Sequence, residues 1–194
     1  TIIKDLLLEG NSDTTTYDGK EHTVSGLVNA TFTLDGETYT VSGMTAEAAG
    51  KDYKDGGYEV KVTGTPVITD GQGNDVTKFF DISTESGLLT INRAKATVTA
   101  DGKTKTAGQA DPALTATVSG LQNGESESLI TYTLTRVSGE NAGTYTITAS
   151  GNKEQGNYEV TFVSGELTIT AAPAPVNPVT PVVPVTPVNP VTPV

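Results

Sequence analysis

Oxygen-bearing side chains crowd the run TDGQGNDVT, Thr69 to Thr77, where Asp70, Gln72, Asn74 and Asp75 stand close together and two glycines let the backbone curl. Ca²⁺ is the ion such a loop would suit, since it accepts roughly six to eight oxygens in a flexible shell. The match to an EF-hand is incomplete, because that loop closes on a Glu at its twelfth position and Asp81 falls there instead. A polar turn whose side chains bind their own backbone is the competing reading. These four residues are the candidate metal ligands, and the sequence calls for no other cofactor.

Other reactive arrangements are thin. His22, in DGKEHTV, is the single histidine, so any Ser-His-Asp relay would have to use it, and its charged neighbours read as a solvated surface. Glu125 with Glu127, and Asp52 with Asp55, could in principle flank a glycosidic bond. They sit in loops rich in Gly and Ser with no aromatic cluster to raise a pKa, and read as solvated charge. There is no Cys and hence no disulfide or thiolate chemistry. No Walker loop and no HExxH motif occurs. An enzyme is therefore not expected.

Binding chemistry is constrained in the same way. The net charge is −11, with the acidic excess in both halves, which disfavours nucleic acid and anionic membrane surfaces as partners. No stretch approaches 18 apolar residues, so no membrane insertion is expected. Trp is absent, which weakens a sugar platform. Of the seven tyrosines, Tyr58, Tyr132, Tyr145 and Tyr158 fall at strand positions facing a core, whereas Tyr17, Tyr39 and Tyr53 are the freer ones that could meet a glycan.

The elements that must position these residues are strands. Tyr145, Ile147 and Ala149 alternate with threonines, Tyr158, Val160 and Phe162 with Glu159 and Thr161, and Tyr58, Val60 and Val62 with Glu59 and Lys61. That period of two predicts half-buried antiparallel strands. Asp35-Gly36, between TFTL and ETYTV, predicts a tight hairpin. The two candidate helices, Gly43 to Asp52 and Gly120 to Leu129, are short and broken by glycine, so one turn at most is expected.

Repetition divides the chain. TVSGL occurs at Thr23 to Leu27 and at Thr117 to Leu121, followed by GGYEVKVTG from Gly56 or GTYTITASG from Gly143, and then by SGLLTI from Ser86 or SGELTI from Ser164. The first copy is longer between these landmarks, and the excess is expected in loops. A gapless overlay of Thr90 to Gly108 on Thr1 to Gly19 puts Thr1-Ile2 where the closing strand of a preceding repeat would end. The chain is thus read as a first module over 1–93, a second over 94–171, and a tail over 172–194. In the tail, prolines recur at every third position from Pro175 to Pro193, the spacing of a polyproline II linker with a reach of roughly 60 Å. Turns every few residues and six or seven short strands per module predict an all-β chain: two tandem small β-sandwich modules with immunoglobulin-like layering, then an extended Pro-rich tail. A β-grasp module is the alternative and would need a true helix.

KATVTADGKTKTAGQADPALTATVSGLQNGE, LTRVSGENAGTYTITASG and GNYEVTFVSGELTIT resemble, in that order, the MBG repeat domains of bacterial surface proteins. YDGKEHTVSG with GNDVTKFFDISTESGLLTI resembles a sister subtype. The resemblance spans about residues 3 to 170. TAG at Thr106 to Gly108 departs from it, since the family usually has an aromatic before that glycine, as YDG at Tyr17 does. The resemblance implies a tandem module of secreted or wall-attached, often adhesive, bacterial proteins, located outside the cell, with no catalytic residues. The expected role is a monomeric, non-catalytic stalk or spacer that presents a distal domain and adjoins neighbouring repeats of a longer chain. The alternative is an adhesive module that grips a host or environmental glycan or protein.

Overall fold

A computed structural model describes residues 3–174, and these fold without an α-helix. Thr1-Ile2, read as the end of a preceding repeat, and the Pro-Val-Xaa tail from Pro175 onward lie outside the described residues. The first half contains β1 (Lys4–Glu9), β2 (Asp13–Thr16), β3 (His22–Ser25), β4 (Thr31–Leu34), β5 (Glu37–Gly50), β6 (Tyr58–Thr69), β7 (Phe80–Glu85) and β8 (Gly87–Asn92). The second contains β9 (Ala94–Ala100), β10 (Lys103–Thr106), β11 (Ala116–Ser119), β12 (Thr133–Arg136), β13 (Gly143–Ser150), β14 (Glu154–Gln155), β15 (Tyr158–Val163) and β16 (Gly165–Thr170). Strands of each half pair only with strands of the same half, among the described residues.

In the second half, a sheet ordered β10-β16-β13-β12 faces one ordered β11-β9-β15-β14. Their facing residues, Ile147, Leu167 and Ile169 from one and Ala96, Val98 and Val160 from the other, close a common core. The pattern is that of a β-sandwich, whose inner faces carry every second residue. In the first half, the larger sheet runs β2-β8-β6-β5-β3, with β4 added to β5, and the β1-β7 pair covers part of it. Leu6 and Leu8 of β1 meet Val41 and Ile68 there.

The alternation read from sequence holds: Tyr158 and Val160 are buried while Glu159 and Thr161 are exposed, and Val60 and Val62 are buried between exposed Glu59 and Lys61. Asp35 and Gly36 both take positive φ, 52° and 84°, as a primed two-residue hairpin turn requires. Three expectations are corrected. First, not all strands are antiparallel: β1 with β7, β2 with β8, β9 with β15 and β10 with β16 pair parallel. An alternating burial pattern cannot reveal this, because parallel and antiparallel ladders share the period of two.

Second, Gly43 to Asp52 is strand through Gly50, not a helical turn. A β-bulge lies there, with the register shifting between Ser42 and Met44. A Cβ on Gly43 would come within 2.2 Å of the Thr65 carbonyl oxygen, so this close crossing admits only glycine. Gly120 to Leu129 ends in the expected single turn, a 3₁₀ turn over Glu127–Leu129. Third, the extra length of the first half is not confined to loops. It lengthens β5 and β6 to 14 and 12 residues, against 4 and 8 in β12 and β13.

The parallel pairs fix how the halves correspond. Lys4 opposes Phe80 as Ala94 opposes Tyr158, and Thr16 opposes Asn92 as Thr106 opposes Thr170. A spacing of 90 therefore relates β1 and β2 to β9 and β10, one residue off the gapless overlay, and makes Ala107 rather than Thr106 the counterpart of Tyr17. Tyr17 N–H donates to Asn92 and Ala107 N–H to Thr170, each at 2.8 Å, in the same place. The later landmarks do coincide, since Tyr58 opposes Leu89 as Tyr145 opposes Leu167. The identical TVSGL runs do not: Thr23 to Ser25 pair with β5, and Thr117 to Ser119 with β9. A short Thr/Val/Ser run fits many positions on a pleated surface.

Candidate functional site

Between the end of β8 at Asn92 and the start of β9 at Ala94 stands one residue, Arg93. So short a joint forces the end of the first half onto the start of the second. Tyr17, on the turn after β2, is only 3% exposed and belongs to the same buried cluster as Leu89, Ile91, Ala94, Ala96 and Tyr158. Its ring meets Tyr158 edge-on, with centroids 5.7 Å apart and planes at 83°. Aromatic edge-to-face contacts of this kind add to the area they bury.

A carboxylate lies at the centre of the seam. Both tyrosine hydroxyls donate to Glu125, Tyr17 to Oε1 and Tyr158 to Oε2, and the Gln122 N–H donates to the Tyr158 oxygen at 2.8 Å. Tyr17 is pushed up to about 12 by that hydrogen bond to Glu125 and then by burial. Tyr158 is pushed up to about 12 by burial and then by the same carboxylate. Ionising either phenol would set an anion on a buried ring beside another anion. Glu125 is therefore not the solvated charge expected from its Gly/Ser-rich loop.

A polar clamp adjoins these rings. Tyr53 N–H donates to Asn157 Oδ1 at 2.7 Å, and Asn157 Nδ2 returns a bond to Asp52 Oδ1 at 2.8 Å. Arg93 lays its guanidinium over the Tyr53 ring, 3.7 Å from the centroid, while pairing with Glu154 at 3.1 Å. A polar cleft of about 460 Å³ runs beside this clamp, lined by Thr16, Tyr53, Lys95 and Glu159 among others. None of the three tyrosines expected to be free is so: Tyr17 is buried, Tyr53 is covered by Arg93, and Tyr39 stacks on Phe32 at 5.3 Å.

The TDGQGNDVT loop folds on itself. Asp70 Oδ1 accepts from the N–H groups of Gln72 and Asn74 at 2.9 and 2.8 Å, and its Oδ2 accepts from Asn74 Nδ2 at 2.9 Å. Those bonds, the Asn74 side chain first, hold the Asp70 carboxyl below its ordinary range. Asp75 Oδ1 accepts from the N–H and hydroxyl of Thr77, which lower its pKa in turn. No group of three or more His, Cys, Asp or Glu is placed to hold a metal, among the described residues. His22 lies half-buried against Asp18, Nε2 to Oδ1 at 2.9 Å, and serves the surface next to the seam turn.

At the opposite pole of the second half is a lattice of charge that the sequence does not announce. The Lys105 side chain, 4% exposed, reaches Asp111 at 2.7 Å and Glu140 at 2.5 Å. Arg136 grips Asp111 through Nε and Nη2, at 2.7 and 2.9 Å, and reaches Glu140 at 2.7 Å. Asp111 is held down at about 2 by Arg136 and then Lys105, and the lysine is pushed up by Asp111 and then Glu140. A lysine crosslink to a neighbouring side chain would need an uncharged amine, and every partner here favours the charged one.

The seam is a contact of two buried aromatic rings that share one half-buried carboxylate. No curated protein and no solved structure matches the chain. Residues 96–168 are similar to the family model of the MBG domain (YGX type), a repeat domain of bacterial surface proteins.

Proposed function

We propose that this chain is a non-catalytic stalk or spacer segment of a bacterial surface or secreted protein, which holds a distal functional domain at a distance. The observation that carries this reading is the seam. Two halves joined through one residue, a shared buried cluster and the Tyr53–Asn157–Asp52 clamp move as one body, whereas a binding pair built to adapt would keep a loose linker between them. Acidic strands with Thr and Glu outward keep such a rod soluble and discourage edge pairing. A calcium ion at the candidate loop of Asp70, Gln72, Asn74 and Asp75 is not something the rod requires, since those carboxylates already bind their own loop.

Small-angle X-ray scattering tests the reading directly. A stiff segment gives one narrow distance distribution that stays the same in high salt, because the joint is sealed by burial more than by exposed charge. A broad distribution of bent forms would overturn it. The adhesive alternative has no specific support at the cleft, where Arg93 already covers the one aromatic face.

A further inference from the structure

The near pole of the first half stands where the near pole of the second half meets Tyr17. Phe80 opposes Lys4 as Tyr158 opposes Ala94, so Phe80 holds the register position of the ring on which Tyr17 rests. In the same register Phe79, one residue before Phe80, takes the place of Asn157, and Ile3, one before Lys4, that of Arg93, the two residues that clamp the seam. In the seam those positions are covered by the preceding half. Here they are open: Phe79 is 37% exposed, Ile3 is 61% exposed, and Phe80 is half-buried where Tyr158 is 2% exposed.

Beside Phe79 and Phe80 is a cavity of about 280 Å³, lined also by Tyr39 and Val76, with Glu37, Asp70 and Lys4 at its wall. Its chemistry repeats that of the seam, an aromatic floor with a carboxylate beside it. Tyr39 meets Phe80 edge-on at 5.5 Å and 74°, so the lengthened β5 supplies one wall.

From this we infer that the near pole of the first half is a docking surface for another module of this kind, entered by a tyrosine-bearing turn like Tyr17-Asp18-Gly19. The inference rests on the spacer reading and names the contact through which the spacer would lengthen. The occupant is specified by an interface already present in the molecule: same strand pair, same register, same ring position. Two modules joined by a single residue need little intrinsic affinity, because the joint holds the turn at high effective concentration.

The test is a chain extended by a second copy of residues 3–92 placed directly ahead of Ile3, with only the original chain labelled with ¹⁵N by segmental ligation. Docking is read from the amides of Phe79 and Phe80, whose resonances should shift and whose exchange should slow by about tenfold or more relative to the unextended protein. Tyr17→Ala in the added copy alone should abolish both changes. Unmoved Phe79 and Phe80 amides beside a folded added copy, or protection that survives Tyr17→Ala, would overturn the inference and mean that Tyr39 closes the pole by itself. The spacer reading is judged separately in the same sample by the Tyr53 amide, held by Asn157: slow exchange there sustains the rod even if docking fails, and fast exchange removes it. Should the added copy not fold, Ala107→Tyr in the unextended chain carries the turn to the far pole. Head-to-tail association at millimolar concentration that Phe79→Glu removes then supports docking, and a monomer counts against it.

Discussion

After β2 the chain turns through Tyr17, Asp18 and Gly19, and after β10, at the matching place, through Ala107, Gly108 and Gln109. The first turn carries a ring that is swallowed by the following half and meets a carboxylate there. The second carries a methyl group, and the surface around it is tied by Lys105, Arg136, Asp111 and Glu140 instead. One strand frame thus ends in two ways, once in a contact that needs a neighbour and once in a lattice that satisfies itself. The difference teaches that the frame is set by the alternating apolar positions, while the pole chemistry is free to vary with what lies beyond it.

The largest test of that comparison lies in the core. Leu89 and Leu167 occupy matching positions and are both fully buried in one cluster, so Leu89→Ala and Leu167→Ala should each cost about 2–5 kcal/mol. Because the cluster crosses the joint, either substitution should lower a single denaturant transition instead of splitting it. Two separate transitions in the unaltered protein would break the comparison.

Next comes the turn itself. Tyr17→Ala should cost about 3–5 kcal/mol and uncouple the halves into two transitions, since it removes a buried ring and strips a donor from Glu125. Tyr17→Phe keeps the ring and leaves Glu125 bound to Tyr158, so about 1–2 kcal/mol is expected, with one transition retained. Ala107→Tyr should change the stability of the monomer little, because no neighbouring half receives the ring.

The two poles should also respond at opposite ends of the pH scale. Tyr17 and Tyr158 have folded pKa values raised to about 12 from an unfolded value of about 10, so the seam's contribution is complete below pH 10 and is lost as pH rises toward 12. An absorbance titration should contain a late phenolate step that Tyr17→Phe and Tyr158→Phe each diminish. Asp111 runs the other way: its folded value near 2 lies below the ordinary 3.8, so the lattice contributes above about pH 4 and weakens as pH falls through 2. Acid titration followed by the Asp111 carboxyl resonance checks this, and Arg136→Gln should move that resonance's midpoint up.

The smallest effect is expected at Asp70. Its carboxylate is engaged by three N–H donors of its own loop, so a chelator should leave the melting curve unchanged. A fall in melting temperature would instead make Asp70, Gln72, Asn74 and Asp75 a cation site.

The strands were legible in the sequence wherever one face is buried, because period-two alternation follows directly from which residues water excludes. Asp35-Gly36 was legible because few dipeptides tolerate positive φ twice in succession. The parallel pairing was not, since partners such as β1 and β7 are far apart in the chain and carry no local mark. TVSGL misled because identity over five common residues does not fix a neighbour. Glu125 was hidden for a different reason: a carboxylate in a Gly/Ser loop looks the same whether it faces solvent or two phenols brought from 108 and 33 residues away. The Lys105 lattice was hidden likewise, its members being joined only by folding.

Arg93, standing alone between two strands, has one more implication. A joint of that length, held by the shared buried cluster, restricts rotation, so in the proposed spacer each successive unit would inherit a fixed azimuth from the one before it. A payload at the tip would then be aimed as well as raised, and a single residue inserted beside Arg93 would swing its heading without noticeably altering its height.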